Sequence, residues 1–390
     1  MEKLKRESKR IILSMIHEAS AKVERKRVSM ALDNFDAAVI DNPVPKMKVQ
    51  SFLFLITRMV RFHGGQTSVL RLGSALAGLG YDVAYAVYKP QSYDEMHICA
   101  SSNLKSFKGK LLTCKELEKK PEYDCVVATS WDTVSHVKVL NGYKAYFVQD
   151  YEPYFYQFGE MFLMAGKTYE QGLHMISLGS WNAMMIQKNN HPVSKIDIVD
   201  FPYEKSEYTH RERDFSSYRK KRKIVIAMYL KFYGKRLPNV LPQIFGSVSE
   251  MFLKDGINVE ILYFGEAKSF NPPYGKNLGM LNKFQLRKLY EKADFGVVAS
   301  MSNISLVPYE MLSSGLPVIE AQDGTFPYFF KEPAAILMNF SAADLYEKIK
   351  KAMNTEGYIE KLMENAKNQM EGLSWHKTAV QFAEAICGKK

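Results

Sequence analysis

The chain has no apolar run near the roughly 20 residues that cross a bilayer. Its longest candidate, residues 51–60, is short and carries Arg58. A basic start leads into an amphipathic segment, not an apolar one, so no signal peptide is expected and the reading is cytoplasmic. Cysteine is scarce. Cys99, Cys114, Cys125 and Cys387 form no C-x-x-C pair, and none has a histidine at zinc-finger spacing. That argues against a disulfide framework or cysteine-based metal site and for free thiols in a reducing compartment. There is no G-x-G-x-x-G dinucleotide fingerprint. No D-x-D pair occurs either, the nearest being Asp150-Tyr151-Glu152. No repeat at solenoid spacing is visible.

What is present suits two domains of similar size. The 390 residues exceed one ordinary domain, and an apolar fraction of 46% is ample for two cores. The net charge of +11 favours polyanions: nucleic acid, anionic membrane or phosphate-bearing substrates. One basic run lies in residues 1–30 (Lys3, Lys5, Arg6, Lys9, Arg10, Arg25, Lys26, Arg27), interleaved with Leu4, Ile11, Ile12, Met15, Ile16, Ala19 and Val23 at spacings near one helical face. This segment is read either as a peripheral helix at an anionic membrane surface or as a helix packed on its own protein. The second run is residues 219–223. No nucleic-acid-binding motif accompanies either, so nucleic acid is not an expected partner.

Pro43 and Pro45 close the first segment, and residues 1–47 are read as a basic helical extension and linker. Apolar strands then alternate with helical patterns. FLFLIT, VAYAVYK, DCVVATS, KAYFVQ, HMISL and KIDIVD fall in residues 48–203, with helices expected at 67–79 and 159–171. KIVIAMYL, VEILYF, DFGVVAS, PVIEA and AAILM fall in residues 223–373, after a polar linker at 204–222. Continuous apolar strands between helices predict parallel sheets covered on both faces. An amphipathic helix is expected within residues 374–390.

Four places carry chemistry. Gly64-Gly65 comes after the first strand and opens a helix, where a backbone can approach an anion; a plain tight turn is the alternative. Lys231 and Arg236 come after KIVIAMYL, where cations can clamp a diphosphate; the alternative is a solvated basic loop. Gln149 and Asp150 end KAYFVQ, where Asp150 can accept a hydroxyl proton or merely cap a turn. Glu310 is placed in the first turn of a helix starting near Pro308. It can accept hydrogen bonds from a ribose diol, or simply complement the helix dipole.

The stretch Ala293-Asp294 through Pro317-Val318 resembles the retaining GT-B glycosyltransferases of family four, whose consensus it matches at Asp294, Ser300, Pro308, Glu310, Gly315, Pro317 and Val318. Gly64-Gly65, Gly265, Gly279, Leu286, Leu289 and Tyr290 match in register. The resemblance implies two Rossmann-like domains facing across a cleft, with a C-terminal helix crossing back to the first. Its donor-side set falls here on Gly64, Gly65, Lys231, Arg236, Gly265, Met280, Ser302, Pro308 and Glu310. Its acceptor side falls on Gln149, Asp150, Tyr151 and Glu152, with Asp150, Glu310, Lys231 and Arg236 as the catalytic group. Ser302 stands where the family's E-x7-E motif has its first glutamate, so that charge is missing.

Residues 146–181 are similar to bacterial rhamnosyltransferases of rhamnan and S-layer glycan assembly. Those carry Q-D-Y-E-P-x-F and a Thr-Tyr pair, matched by Gln149, Asp150, Tyr151, Glu152, Pro153, Phe155, Thr168 and Tyr169. They also lack the first glutamate. Lys231 stands where that branch usually has arginine, keeping the charge but losing the bidentate fork. The expectation is transfer of L-rhamnose from dTDP-β-L-rhamnose to a growing surface glycan, with retention and without metal or other cofactor. Transfer of another hexose, 2-epimerisation of UDP-N-acetylglucosamine and a non-catalytic binding subunit are the alternatives.

Overall fold

The computed structural model describes residues 38–42, 48–208, 210–232 and 236–388, with scattered positions between 14 and 35. Two α/β units lie one after the other along the chain. The first has seven strands: β1 (Ser51–Ile56), β2 (Asp82–Val87), β3 (Lys110–Leu112), β4 (Cys125–Ala128), β5 (Tyr143–Val148), β6 (His174–Leu178) and β7 (Ile196–Val199). Their order is β3-β2-β1-β4-β5-β6-β7 and all pair in parallel. The second has β8 (Lys223–Tyr229), β9 (Asn258–Phe264), β10 (Lys276–Asn277), β11 (Phe295–Val297), β12 (Val318–Ala321) and β13 (Ile336–Met338). Its order, β10-β9-β8-β11-β12-β13, repeats the plan, again all parallel. The expected pair of Rossmann-like sheets is what the chain builds.

Each sheet reverses its winding once, between β1 and β4 and between β8 and β11. A doubly wound sheet opens a crevice at that point, outside the carboxyl ends of the strands. The strands form for the reason the sequence suggests: β1 (SFLFLI) and β8 (KIVIAMY) are buried apart from their ends, so both faces must be apolar.

Some expectations are corrected. The helix read over 159–171 is α-helical only at Glu160–Lys167, then tightens into a 3-10 turn at Thr168–Glu170. The helix placed near Pro308 starts earlier, at Leu306, with Ser305 as its cap. Pro308 is then its third residue, still among the four whose N–H groups lack intrahelical partners, so the ring removes no bond. Glu310 lies past the first turn and is not placed to complement the N-terminal dipole.

The C-terminal helix, Trp375–Cys387, lies on the first sheet rather than the second. Phe382 packs against Phe52, Phe54 and Phe147 at centroid distances of 5.9, 6.1 and 6.0 Å. Thr378 and Lys377 tie the helix to Asp200 just past β7. The connecting stretch is not loose either. Arg213 donates to the Ala293 and Tyr290 carbonyls, Tyr218 donates to the Asp294 carbonyl, and Lys221 pairs with Asp294 at 3.0 Å. None of the four cysteines is joined in a disulfide. Much of the basic extension lies outside the described residues. Of those described, Val28 and Phe35 pack on a cluster of Trp131, Met161, Met164 and Ala165.

Candidate functional site

The crevice of the second sheet is bounded by the loops that leave β8 and β11. After β8 come Lys231 and Arg236. Arg236 is only 5% exposed, so it is no solvated loop cation. Its Nη1 donates to the Ala299 carbonyl at 2.9 Å, and its guanidinium lies 5.7 Å from the Tyr229 ring. Lys231 is half-buried and lies close to Glu266. Burial pushes the Glu266 carboxyl up, but the Ala267 and Phe232 N–H groups and Lys231 outweigh it and draw it down. Leu237, beside Arg236, has a φ of 47°, a left-handed backbone rare for a leucine. Phe62, beside His63 in the corresponding loop after β1, has a φ of 53°. Non-glycine residues held there store strain, which persists where surroundings dictate it.

After β11 the chain turns through residues 298–305 into the Leu306–Ser313 helix. A residue that the sequence reading missed fixes this turn. Glu320, fully buried in β12, accepts from Ser300 Oγ at 2.6 Å, Ser300 N at 3.1 Å and Ala321 N at 3.1 Å. Burial pushes its carboxyl up to about 7, with the Ser300 contacts and Arg236 pulling the other way. A charged residue inside the apolar run PVIEA was the available signal. The Ser305 hydroxyl, at the helix cap, is buried without a partner among the described residues.

The turn reaches across to the first domain. Ser302 Oγ donates to Asp150 Oδ1 at 2.8 Å, and Tyr151 N donates to the Ser302 carbonyl at 3.0 Å. Asn303 Nδ2 donates to the Gln149 carbonyl at 2.6 Å and the Leu178 carbonyl at 3.1 Å. Ser302 and Asn303 are fully buried there. The structure thus brings Asp150 and Ser302 together from opposite domains, 152 positions apart. Asn303 was not anticipated.

Gln149 also meets the start of the helix Gly64–Gly78. A Cβ built on Gly65 would lie 3.6 Å from Gln149 Oε1 and 3.4 Å from the His63 ring, ordinary contacts, and one on Gly64 would meet open space. Neither glycine has a left-handed φ. The fold itself therefore makes no demand for glycine at either position. Gly265 is different. Its φ is +98°, and a Cβ would strike the Tyr229 ring at 2.5 Å, so packing requires it. Met280, nearby in sequence, is 53% exposed.

Glu310 is half-buried in a ring of polar groups the sequence did not bring together. Burial pushes its carboxyl up, while a hydrogen bond from Tyr208 and the charge of Arg71 oppose that. Tyr208 comes from the connecting stretch and Arg71 from the Gly64–Gly78 helix. Glu207 joins Arg71 of the first domain to Lys283 of the second. Tyr151 and Glu152 are placed elsewhere. At 1% and 3% exposure, their side chains belong to the first domain's interior, not to the surface expected of acceptor-binding groups. Glu152 accepts from Trp131 N at 2.6 Å, and its own N–H is bound by Tyr169 Oη. Among the described residues, no group of three or more His, Cys, Asp or Glu side chains is placed to hold a metal ion. No described helix is long and apolar enough to cross a membrane.

No protein-family model and no curated protein matches this sequence. Solved structures do match in shape. WaaG, a glycosyltransferase involved in lipopolysaccharide biosynthesis, is 15% identical with a TM-score of 0.60, over 87% of this chain and all of its own. HepE from Anabaena, solved with UDP and glucose, is 13% identical with a TM-score of 0.65, over 86% of this chain and 98% of its own. TarM is 9% identical with a TM-score of 0.66, over 89% of this chain and all of its own. The fold of this chain is the GT-B fold that these proteins share.

Proposed function

We propose that the chain is a metal-independent, retaining glycosyltransferase that moves L-rhamnose from dTDP-β-L-rhamnose onto a growing bacterial surface polysaccharide. The observation that carries this is the meeting of Asp150 and Ser302 across the two domains, beside a buried arginine and a helix N-terminus. In the reaction the acceptor oxygen bonds to the anomeric carbon as that carbon's bond to the diphosphate breaks. The diphosphate leaves with the electron pair and takes up the proton that the acceptor hydroxyl loses.

The positions of the side chains support the following roles. Lys231 and Arg236 take the charge that grows on the diphosphate, with the N-terminus of the Leu306–Ser313 helix and the Ser305 hydroxyl behind them. Such a clamp stabilises the leaving group without a metal ion. Glu310 holds the ribose hydroxyls. Gly265 and Met280 border the nucleotide, and Gly64 and Gly65 keep the opposite helix start clear for the donor's close approach. Asp150, held by Ser302, faces the sugar or the acceptor hydroxyl. Rhamnose rests on the resemblance of residues 146–181, and on Gln149, which stands where the glycosyltransferase family that residues 293–318 resemble often has a histidine contacting a sugar 6-hydroxyl. A 6-deoxy sugar has no such hydroxyl.

Purified protein is offered dTDP-β-L-rhamnose, UDP-glucose and UDP-N-acetylglucosamine with and without EDTA, and nucleotide release and binding are measured. Chelator should leave turnover intact. Glu310→Ala should weaken nucleotide binding by about 1.5–3 kcal/mol, the range for a hydrogen bond to a charged group. Failure to bind any nucleotide diphosphate in calorimetry would overturn the proposal, and strict dependence on added metal would overturn its mechanism.

A further inference from the structure

Beside the Asp150–Ser302 contact lies a cavity of about 430 Å³ shared by both domains. That size falls within the roughly 300–1,000 Å³ of small-molecule sites. The first domain contributes Tyr154, Tyr156 and Trp181, and the second contributes Met301, Asp323 and Tyr328. Met301 precedes Ser302, and Tyr154 and Tyr156 lie within six positions after Asp150.

The lining has a definite chemistry. Four aromatic rings present flat apolar faces with phenol or indole edges. The rings are held. Tyr154 packs on Trp181 at 6.1 Å and edge-on to Tyr151 at 5.1 Å, while the Tyr156 hydroxyl accepts from Trp131 Nε1 at 3.0 Å. Asp323 adds one exposed carboxylate. Among the described lining residues there is no lysine or arginine, so the described walls offer an anion no direct basic partner. The cavity is poorly built for a cation too, because Lys331 Nζ already lies 5.7 Å from the Tyr328 ring. A neutral pyranose fits both conditions. Its C–H faces stack on aromatic rings, and its vicinal hydroxyls donate to a carboxylate.

We propose that this cavity is the acceptor subsite, holding a neutral sugar ring of the glycan between Tyr154 and Tyr328 with Asp323 accepting from its hydroxyls. The assignment rests on the glycosyltransferase reading and adds the acceptor's chemistry to it. Tyr154 and Tyr328 are 43% and 42% exposed, so both can be changed without opening a core.

Saturation-transfer NMR on the full chain, with the methyl glycosides of L-rhamnose, D-glucose, D-mannose, D-galactose and N-acetyl-D-glucosamine and with choline, tests it. At least one glycoside should receive saturation. Tyr328→Ala and Asp323→Asn should each weaken that glycoside tenfold or more while leaving dTDP and UDP affinity within twofold and the melting temperature unchanged. Saturation of choline alone, of no glycoside, or of glycosides equally in wild type and both variants overturns the subsite. Calorimetry with dTDP and UDP is the separate arm. If neither nucleotide binds, the transferase reading fails, and the NMR result still decides whether the cavity holds a sugar.

Discussion

A carboxylate buried without a cation beside it favours its protonated form, and Glu152 is such a group. Burial pushes it up to about 8, Asp132 and Asp150 push the same way, and hydrogen bonds from Trp131 N–H and Tyr146 oppose them. An unfolded glutamate titrates near 4.5, so between about 4.5 and about 8 the unfolded chain has lost a proton that the folded chain keeps. Folding stability attributable to Glu152 therefore falls as pH rises across that window, and none is lost below it. Glu152→Gln keeps an acceptor for Trp131 N–H and removes the titration. Melting curves from pH 5 to pH 8.5 should show the variant gaining on wild type as pH rises, by a few degrees at the upper end. Parallel curves would show that Glu152 does not titrate in this range. At this scale the sequence was legible for residue type and place on the strand ends, as with Asp150, Lys231 and Arg236. It was not legible for exposure. Nothing in Q-D-Y-E-P says that the second carboxylate turns inward while the first meets Ser302.

Strands and their order were legible because parallel strands must be apolar on both faces, and β1, β5, β6 and β8 announce themselves so. β3 and β10 were not, because three and two residues carry no run. The turn after β11 shows the other limit. Its internal logic, Glu320 gripping Ser300, was hinted at by one charge in an apolar strand. Its external logic, Asn303 reaching two carbonyls of the first domain, depends on how two separately folded sheets face each other. Local spacing carries no record of that. Asn303→Ala removes both bonds and strips the Gln149 carbonyl of this donor, while the Leu178 carbonyl keeps Asn182 Nδ2, a loss of about 1–3 kcal/mol. The expected outcome is a melting temperature lower by a few degrees and a larger radius of gyration in solution scattering, since these bonds hold the domains together. A variant with wild-type radius and melting temperature would show that closure rests on other contacts.

The whole molecule carries +11, and its two crevices face each other with a C-terminal helix returning to the first sheet. Part of that excess charge lies in the N-terminal extension, whose two readings make separable demands. One has the basic residues drawn to an anionic membrane, at about 1 kcal/mol each near the surface. The other has the segment packed on the protein, and Val28 and Phe35 against the Trp131 cluster favour it for that part. The two can hold at once, since Lys3, Lys5, Arg6, Lys9 and Arg10 precede the packed residues and lie outside those described. The prediction is therefore split by position. Changing those five to glutamine should lower co-sedimentation with phosphatidylserine-containing vesicles at least tenfold and leave melting unchanged. Phe35→Ala should do the reverse, lowering the melting temperature while membrane binding persists. If wild-type protein ignores anionic vesicles as it ignores neutral ones, the charge serves the phosphate-bearing donor alone and the extension is only part of the fold.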